Sequence, residues 1–175
     1  MNLPNTLAVL RMILAPLLFF LLTHHFDGVH QSWINYFATL VFGLAALSDF
    51  FDGYIARTWG QTTKLGAILD PLADKMLTLA AFLGLLILGR ANEWAVYLIL
   101  VREFFITGFR VIMASQNLNL AASFTGKLKT GFQITAIIFL TMQWFLGEFL
   151  LYLALILTLY SGFEYIYVYI KEKKQ

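Results

Sequence analysis

Cysteine is absent from the 175 residues, which excludes a disulfide scaffold, thiol catalysis and zinc–thiolate sites. Proline occurs only 3 times, and with 17% aromatic residues the chain is neither collagen-like nor disordered. Charge is scarce as well. Asp, Glu, Lys and Arg make up 13% of the residues, against about 25% in an ordinary soluble domain. The 12 basic and 10 acidic residues leave a surplus too small to suggest a nucleic-acid partner. Apolar residues fill the space instead: 60% of the chain is hydrophobic and its mean hydropathy is +0.76. Such a chain cannot cover a globular surface with polar groups, so an integral membrane protein is expected. Nothing in it reads as a soluble linker or tail, so residues 1–175 are expected to form a single membrane domain.

A membrane-crossing helix needs roughly 20 mostly apolar residues. Six stretches approach that length, at 7–23, 33–56, 66–88, 93–114, 127–146 and 148–170, which predicts an all-α protein with six transmembrane helices. The first follows Pro4-Asn5-Thr6, a helix-start signal, and residues 3–11 leave room for a short interfacial helix. A cleavable signal peptide is the competing reading, but Thr23 to Asp27 offer no small-residue cleavage site. Asp27-Gly28, Gly60, Gly89 with Asn92, Asn117 to Gly126, and Gly147-Glu148 mark the turns. No internal repeat is visible. Orientation follows from the basic residues: Arg11, Arg57, Lys64, Arg110, Lys127, Lys129, Lys171, Lys173 and Lys174 fall on one side and Arg90 alone on the other. Both termini are therefore expected in the cytoplasm.

Ionisable groups inside a span are costly and are functional candidates by default. Asp49 and Asp52 in SDFFDGYIAR, and Asp70 and Asp74 in GAILDPLADK, break the apolar pattern at spacings of three and four, which put each pair on one helix face. The short connection between the segments makes the two helices antiparallel neighbours, with both pairs towards the cytoplasmic end. Arg57, Lys64 and Lys75 are the counter-charges within reach. Four carboxylates of this kind suit a hard divalent cation such as Mg²⁺ or Ca²⁺, and the lack of cysteine and nearby histidine argues against zinc or copper. Ion pairing with the basic residues, or a cation pathway, is the plainer alternative. Gly53, Ala56 and Gly66 lie on the same faces and leave a groove for a bulky ligand, although small residues also serve helix packing. Arg57 at the groove mouth suits a phosphate.

Asp49-x-x-Asp52-Gly53-x-x-Ala56-Arg57, eight further residues, then Gly66-x-x-x-Asp70-x-x-x-Asp74 resembles the signature of the CDP-alcohol phosphatidyltransferases at all eight fixed positions. The resemblance implies a six-helix membrane fold, homodimers, dependence on Mg²⁺ or Mn²⁺, and displacement of CMP from a CDP-linked lipid by an alcohol. It assigns metal binding to Asp49, Asp52, Asp70 and Asp74, and the role of general base to Asp74. Contacts to the CDP lipid then fall to Asp49, Gly53, Ala56, Arg57 and Gly66.

A second basic set, Arg110 in REFFITGFR with Lys127 and Lys129 in TGKLKTGFQ, gathers where the fourth and fifth helices meet the cytoplasm. Lys127 and Lys129 do not share a face of a regular helix, but at a helix N-terminus they flank N–H groups that favour a phosphate. Anchoring to anionic lipid is the alternative. An acceptor carrying its own phosphate is expected, and these segments resemble the bacterial branch of the family that uses glycerol 3-phosphate. That implies phosphatidylglycerol phosphate as product, CDP-diacylglycerol as donor, and a multi-pass protein of the bacterial inner membrane whose site faces the cytoplasm. An acceptor such as inositol phosphate is the rival within the family. Outside it, a cation transporter accounts for the acids but has no use for the groove, and a non-catalytic lipid-binding scaffold would not depend on Asp74. Arg102-Glu103 reads as a neutralising element for a pocket or a helix contact. His24, His25 and His30 lie on the far side, with no chemistry assigned.

Overall fold

The computed structural model describes residues 3–58, 66–115 and 124–172, with side chains at 6–48, 72–111, 113 and 124–171. These residues form six helices in chain order, one over each apolar stretch: α1 Leu3–Thr23, α2 Gln31–Thr58, α3 Gly66–Ile87, α4 Glu93–Ser115, α5 Phe124–Thr141 and α6 Gly147–Glu172. No strand occurs among the described residues. Residues 3–11 are the first turns of α1 itself, not a separate helix, because the helical pattern starts at Leu3 and runs unbroken through Pro16. The fifth helix ends before its expected limit. Gln143 takes the left-handed conformation (φ 58°) and the Trp144 N–H reaches back to the Phe139 carbonyl at 2.9 Å, closing the helix with a tight turn.

Two compact units divide the chain. The first holds Met1–Arg90 with Ile138–Trp144, the second Ala91–Ile137 with Phe145–Gln175. In the first, α1 packs on both α2 and α3, and most extensively on α3. Its buried face is the stripe Ala8, Arg11, Ala15, Leu18 and Leu22, at helical spacings of three and four. The facing residues on α3 are Ala73, Leu77, Ala81 and Leu85. Gly84 sets the register of this pair: a Cβ there would lie 2.7 Å from Leu22 Cδ1 and 2.9 Å from Leu22 Cβ, so only glycine admits the approach. Arg90, just beyond α3, closes the same end of the unit. Its Nη1 donates to Asn35 Oδ1 of α2 and to the Thr141 carbonyl of α5, each at 2.9 Å. The Gln143 amide, turned so that its oxygen faces Arg90, accepts from Nε and Nη2 at 3.0 Å. Burial lowers the Arg90 pKa from its ordinary value, but guanidinium titrates so high that the charge persists.

Alanines share the interior with larger residues such as Phe42, Phe82 and Ile99, and many large apolar side chains face out. Ala38 and Ala45 of α2 are buried, while Trp33, Tyr36, Phe37, Leu40, Leu44 and Leu47 are exposed. In the second unit, Ala95, Ala136 and Ala154 are buried, while Trp94, Tyr97, Phe104, Phe105, Phe149 and Ile156 are exposed. Water would not tolerate so much exposed apolar surface; lipid does, and close helix packing there relies on small residues. Among the described residues two helices, through Thr6–Thr23 and Gly147–Lys171, are long and apolar enough to cross a bilayer by length and composition. Charged residues interrupt α3, α4 and α5.

Candidate functional site

The four motif aspartates lie on regular helix at the expected places. Asp49 and Asp52 occupy the last turns of α2, nine and six residues before Thr58, and Asp70 and Asp74 the first turns of α3, four and eight residues after Gly66. At about 1.5 Å per residue this sets Asp49 and Asp74 roughly 12–14 Å from the helix ends. The side chains of Asp49, Asp52, Gly53, Ala56, Arg57, Gly66 and Asp70 lie outside the described residues, and so does the connection 59–65.

Asp74 is described, and it is accessible. Its side chain is 37% exposed, with Lys75 Nζ 3.4 Å from Oδ2. The adjacent lysine thus supplies the counter-charge expected of it. The Asp74 carbonyl accepts from Thr78 Oγ1 at 2.8 Å, which fixes the backbone one turn on. Among the described residues no three His, Asp or Glu side chains converge. The donor chemistry of the motif, four carboxylates and no sulfur or imidazole, still fits a hard divalent cation in kind.

Arg11, one of the charges expected on the cytoplasmic side, is fully buried, with 0% exposure. The reason is its place in the α1 stripe that packs on α3. α1 and α3 run the same way, since each is joined to α2 by a short connection. Eleven residues before the Leu22–Gly84 contact on both helices, Arg11 comes level with Ala73, one position before Asp74. A buried guanidinium therefore lies at the level of the α3 acids.

The acceptor-site candidates separate. Arg110 and Lys127 are exposed, while Lys129 turns inward and is only 6% exposed. The Lys129 ammonium donates to Glu103 Oε1 of α4. Arg102 Nη1 lies 3.2 Å from the same oxygen, and Arg102 Nη2 donates to Ser161 Oγ of α6 at 2.8 Å. Ser161 in turn donates to the Thr158 carbonyl at 3.1 Å, and Gln133 Nε2 of α5 donates to Thr158 Oγ1 at 3.1 Å. Near the start of α5, Thr125 donates to Glu164 of α6. Arg102-Glu103 is thus the hub of a polar network tying α4, α5 and α6. Sequence reading missed Gln133, Thr158 and Ser161. The signal was there, since Thr158, Ser161 and Glu164 recur every third residue in an otherwise apolar helix.

The three histidines do local work. His24 stacks on Phe20 with centroids 4.7 Å apart and meets Phe26 edge-on. His25 faces Asp27 at 3.7 Å, and His30 Nδ1 accepts the Ser32 N–H at the start of α2.

Comparison with known proteins agrees with the motif. Residues 1–160 match the family described as CDP-alcohol phosphatidyltransferase. A probable phosphatidylglycerophosphate synthase of Mycobacterium tuberculosis is 40% identical over 136 residues, 78% of this chain and 64% of that protein. A CDP-diacylglycerol–glycerol-3-phosphate 3-phosphatidyltransferase of Cereibacter sphaeroides is 38% identical over 139 residues, 78% of this chain and 61% of that protein. The chain thus spans a little under two thirds of these two relatives. An Escherichia coli protein of the same name as the latter is 36% identical over 176 residues, covering 94% of this chain and 93% of that protein. The chain belongs to the CDP-alcohol phosphatidyltransferase family, whose members are integral to membranes.

Proposed function

We propose that the chain transfers the phosphatidyl group of CDP-diacylglycerol to glycerol 3-phosphate, forming phosphatidylglycerol phosphate and releasing CMP. One observation carries this reading: the complete eight-position signature lies on consecutive helices of a chain that matches the E. coli glycerol-3-phosphate enzyme over nearly its full length. The chain acts as one membrane domain with six spans, both termini in the cytoplasm and the site opening to that side of a bacterial inner membrane. With Arg11 and Lys129 buried, seven of the nine basic residues remain as orienting charges against Arg90. Trp33, Tyr36, Trp94, Tyr97 and Trp144, exposed near the opposite helix ends, suit the far interface. A homodimer is part of the same reading.

In this reading Asp49, Asp52 and Asp70, with Asp74 beside them, hold Mg²⁺ or Mn²⁺. The cation, when bound, neutralises charge on the pyrophosphate. Gly53, Ala56 and Gly66 admit the CDP moiety, and Arg57 binds its phosphate. Asp74 takes the proton of the acceptor hydroxyl, for which its accessible carboxylate is suited. The acceptor oxygen then attacks the phosphorus bearing the diacylglycerol, and the bond to CMP breaks. Lys129, Lys127 and Arg110 engage the acceptor's phosphate. The deciding experiment offers purified protein, CDP-diacylglycerol and Mg²⁺ one acceptor at a time: glycerol 3-phosphate, inositol phosphate, serine or phosphatidylglycerol. CMP release is expected with glycerol 3-phosphate. Release with inositol phosphate alone would overturn the assignment of acceptor, and release with none would overturn the activity.

A further inference from the structure

The network around Glu103 holds more charge than a helix tether needs. Within the same unit, α5 and α6 are also joined by an uncharged hydrogen bond, Gln133 to Thr158. About one turn away, at the level of Ser161, the structure instead places Glu103, 4% exposed, against two cations, Lys129 and Arg102. Burying charges is expensive, and an ion pair holds helices together no better than apolar packing does. The cations are also held differently. Arg102 is locked: Ser161 binds its Nη2, and Gly162 clears its path across α6, since a Cβ there would lie 3.1 Å from Nε and 3.4 Å from Cγ. Lys129 reaches Glu103 on a flexible four-carbon stem from the second turn of α5, near the helix end that favours anions. The carboxylate is therefore pinned from α4 and α6, and it fixes the one cation able to adapt.

We propose that Glu103 is a positioning residue for the acceptor: it holds the Lys129 ammonium, charged and in place, for the acceptor's phosphate. The proposal rests on Lys129 belonging to the acceptor site. Glu103 itself touches no substrate. Glu103 is met by two cations, Lys129 and Arg102, and Glu164 of α6 accepts from Thr125. Without the carboxylate, the ammonium loses an anchor and a buried counter-charge.

The test is a double-mutant cycle on the full-length protein in lipid, with KM measured for glycerol 3-phosphate and for CDP-diacylglycerol, and thermal stability followed alongside. Lys129→Ala is expected to raise the KM for glycerol 3-phosphate about tenfold or more, the loss of one charge-assisted contact. Glu103→Gln is expected to raise the same KM by a similar factor while the KM for CDP-diacylglycerol stays within about twofold. On the Lys129→Ala background, Glu103→Gln is expected to add nothing, because it acts through Lys129. If Glu103→Gln fails to accumulate, Glu103→Asp carries the same test, since it keeps the charge and withdraws it by one methylene. Multiplying effects in the double variant, a stability loss with both KM values unmoved, or a fall in the glycerol 3-phosphate KM would overturn the proposal. If Lys129→Ala leaves that KM unchanged, the placing of the acceptor site fails and the role of Glu103 falls with it.

Discussion

Gly84→Ala tests the α1–α3 packing directly. The added methyl meets Leu22 Cδ1 at 2.7 Å and Leu22 Cβ at 2.9 Å. Turning the leucine to another rotamer removes the first clash but not the second, because Cβ moves only with the backbone of α1. Overpacking of this kind costs about 1–3 kcal/mol. In a chain of this size each kcal/mol lowers Tm by about 2–4 °C, so a fall of roughly 2–12 °C is expected. The assay is thermal unfolding of purified protein in one fixed detergent or lipid. Leu22→Ala should relieve Gly84→Ala only in part, since it keeps the Cβ, whereas Leu22→Gly removes every clashing atom at the cost of about 1 kcal/mol in helix propensity. A favourable coupling of about 0.5–3 kcal/mol between Gly84→Ala and Leu22→Gly is thus expected. A Tm for Gly84→Ala within about 1 °C of the parent, or no coupling with Leu22→Gly, would refute the close approach and the register that places Arg11 beside Ala73.

Further outcomes concern the site and the opposite end of the first unit. Asp74→Asn keeps size and a ligand oxygen but loses basicity, so kcat should fall by roughly 10²-fold or more while CDP-diacylglycerol still binds; normal turnover would place the base elsewhere. Asp49→Ala, Asp52→Ala and Asp70→Ala should each abolish CMP release, and chelation with EDTA should silence the parent protein reversibly; full activity in chelator would remove the metal from the mechanism. Arg90→Ala strips its hydrogen bonds to Asn35, Thr141 and Gln143 and should cost about 1.5–3 kcal/mol in thermal unfolding. Both KM values should stay unchanged, and a shift in either would show that this end of the unit communicates with the site.

Much of the architecture was legible because apolar runs and turn residues are local signals. All six helices fall where hydropathy places them, and the motif aspartates fall in the turns expected of them. What escaped was whatever depends on which helices meet. The burial of Arg11 was one such feature, because a count of basic residues assigns a side of the membrane by residue type, without the helix face that covers it. Gly84 carried no mark distinguishing it from other glycines until Leu22 was placed against it. Lys127 and Lys129, two residues apart, could be told apart only by face. The Glu103 carboxylate, supplied by another helix, is what draws one of them inward.

The pairing of α1 with α3 also governs the order in which the chain enters the bilayer. Arg11 is covered by residues that the ribosome adds some 60 positions later, which at about 5–20 residues per second means roughly 3–12 s of waiting. Through that interval α1 carries a charge with no finished place in hydrocarbon, so its final seating must wait until α3 has emerged. A nascent chain stalled between the two helices is therefore left with an arginine that α3 does not yet cover.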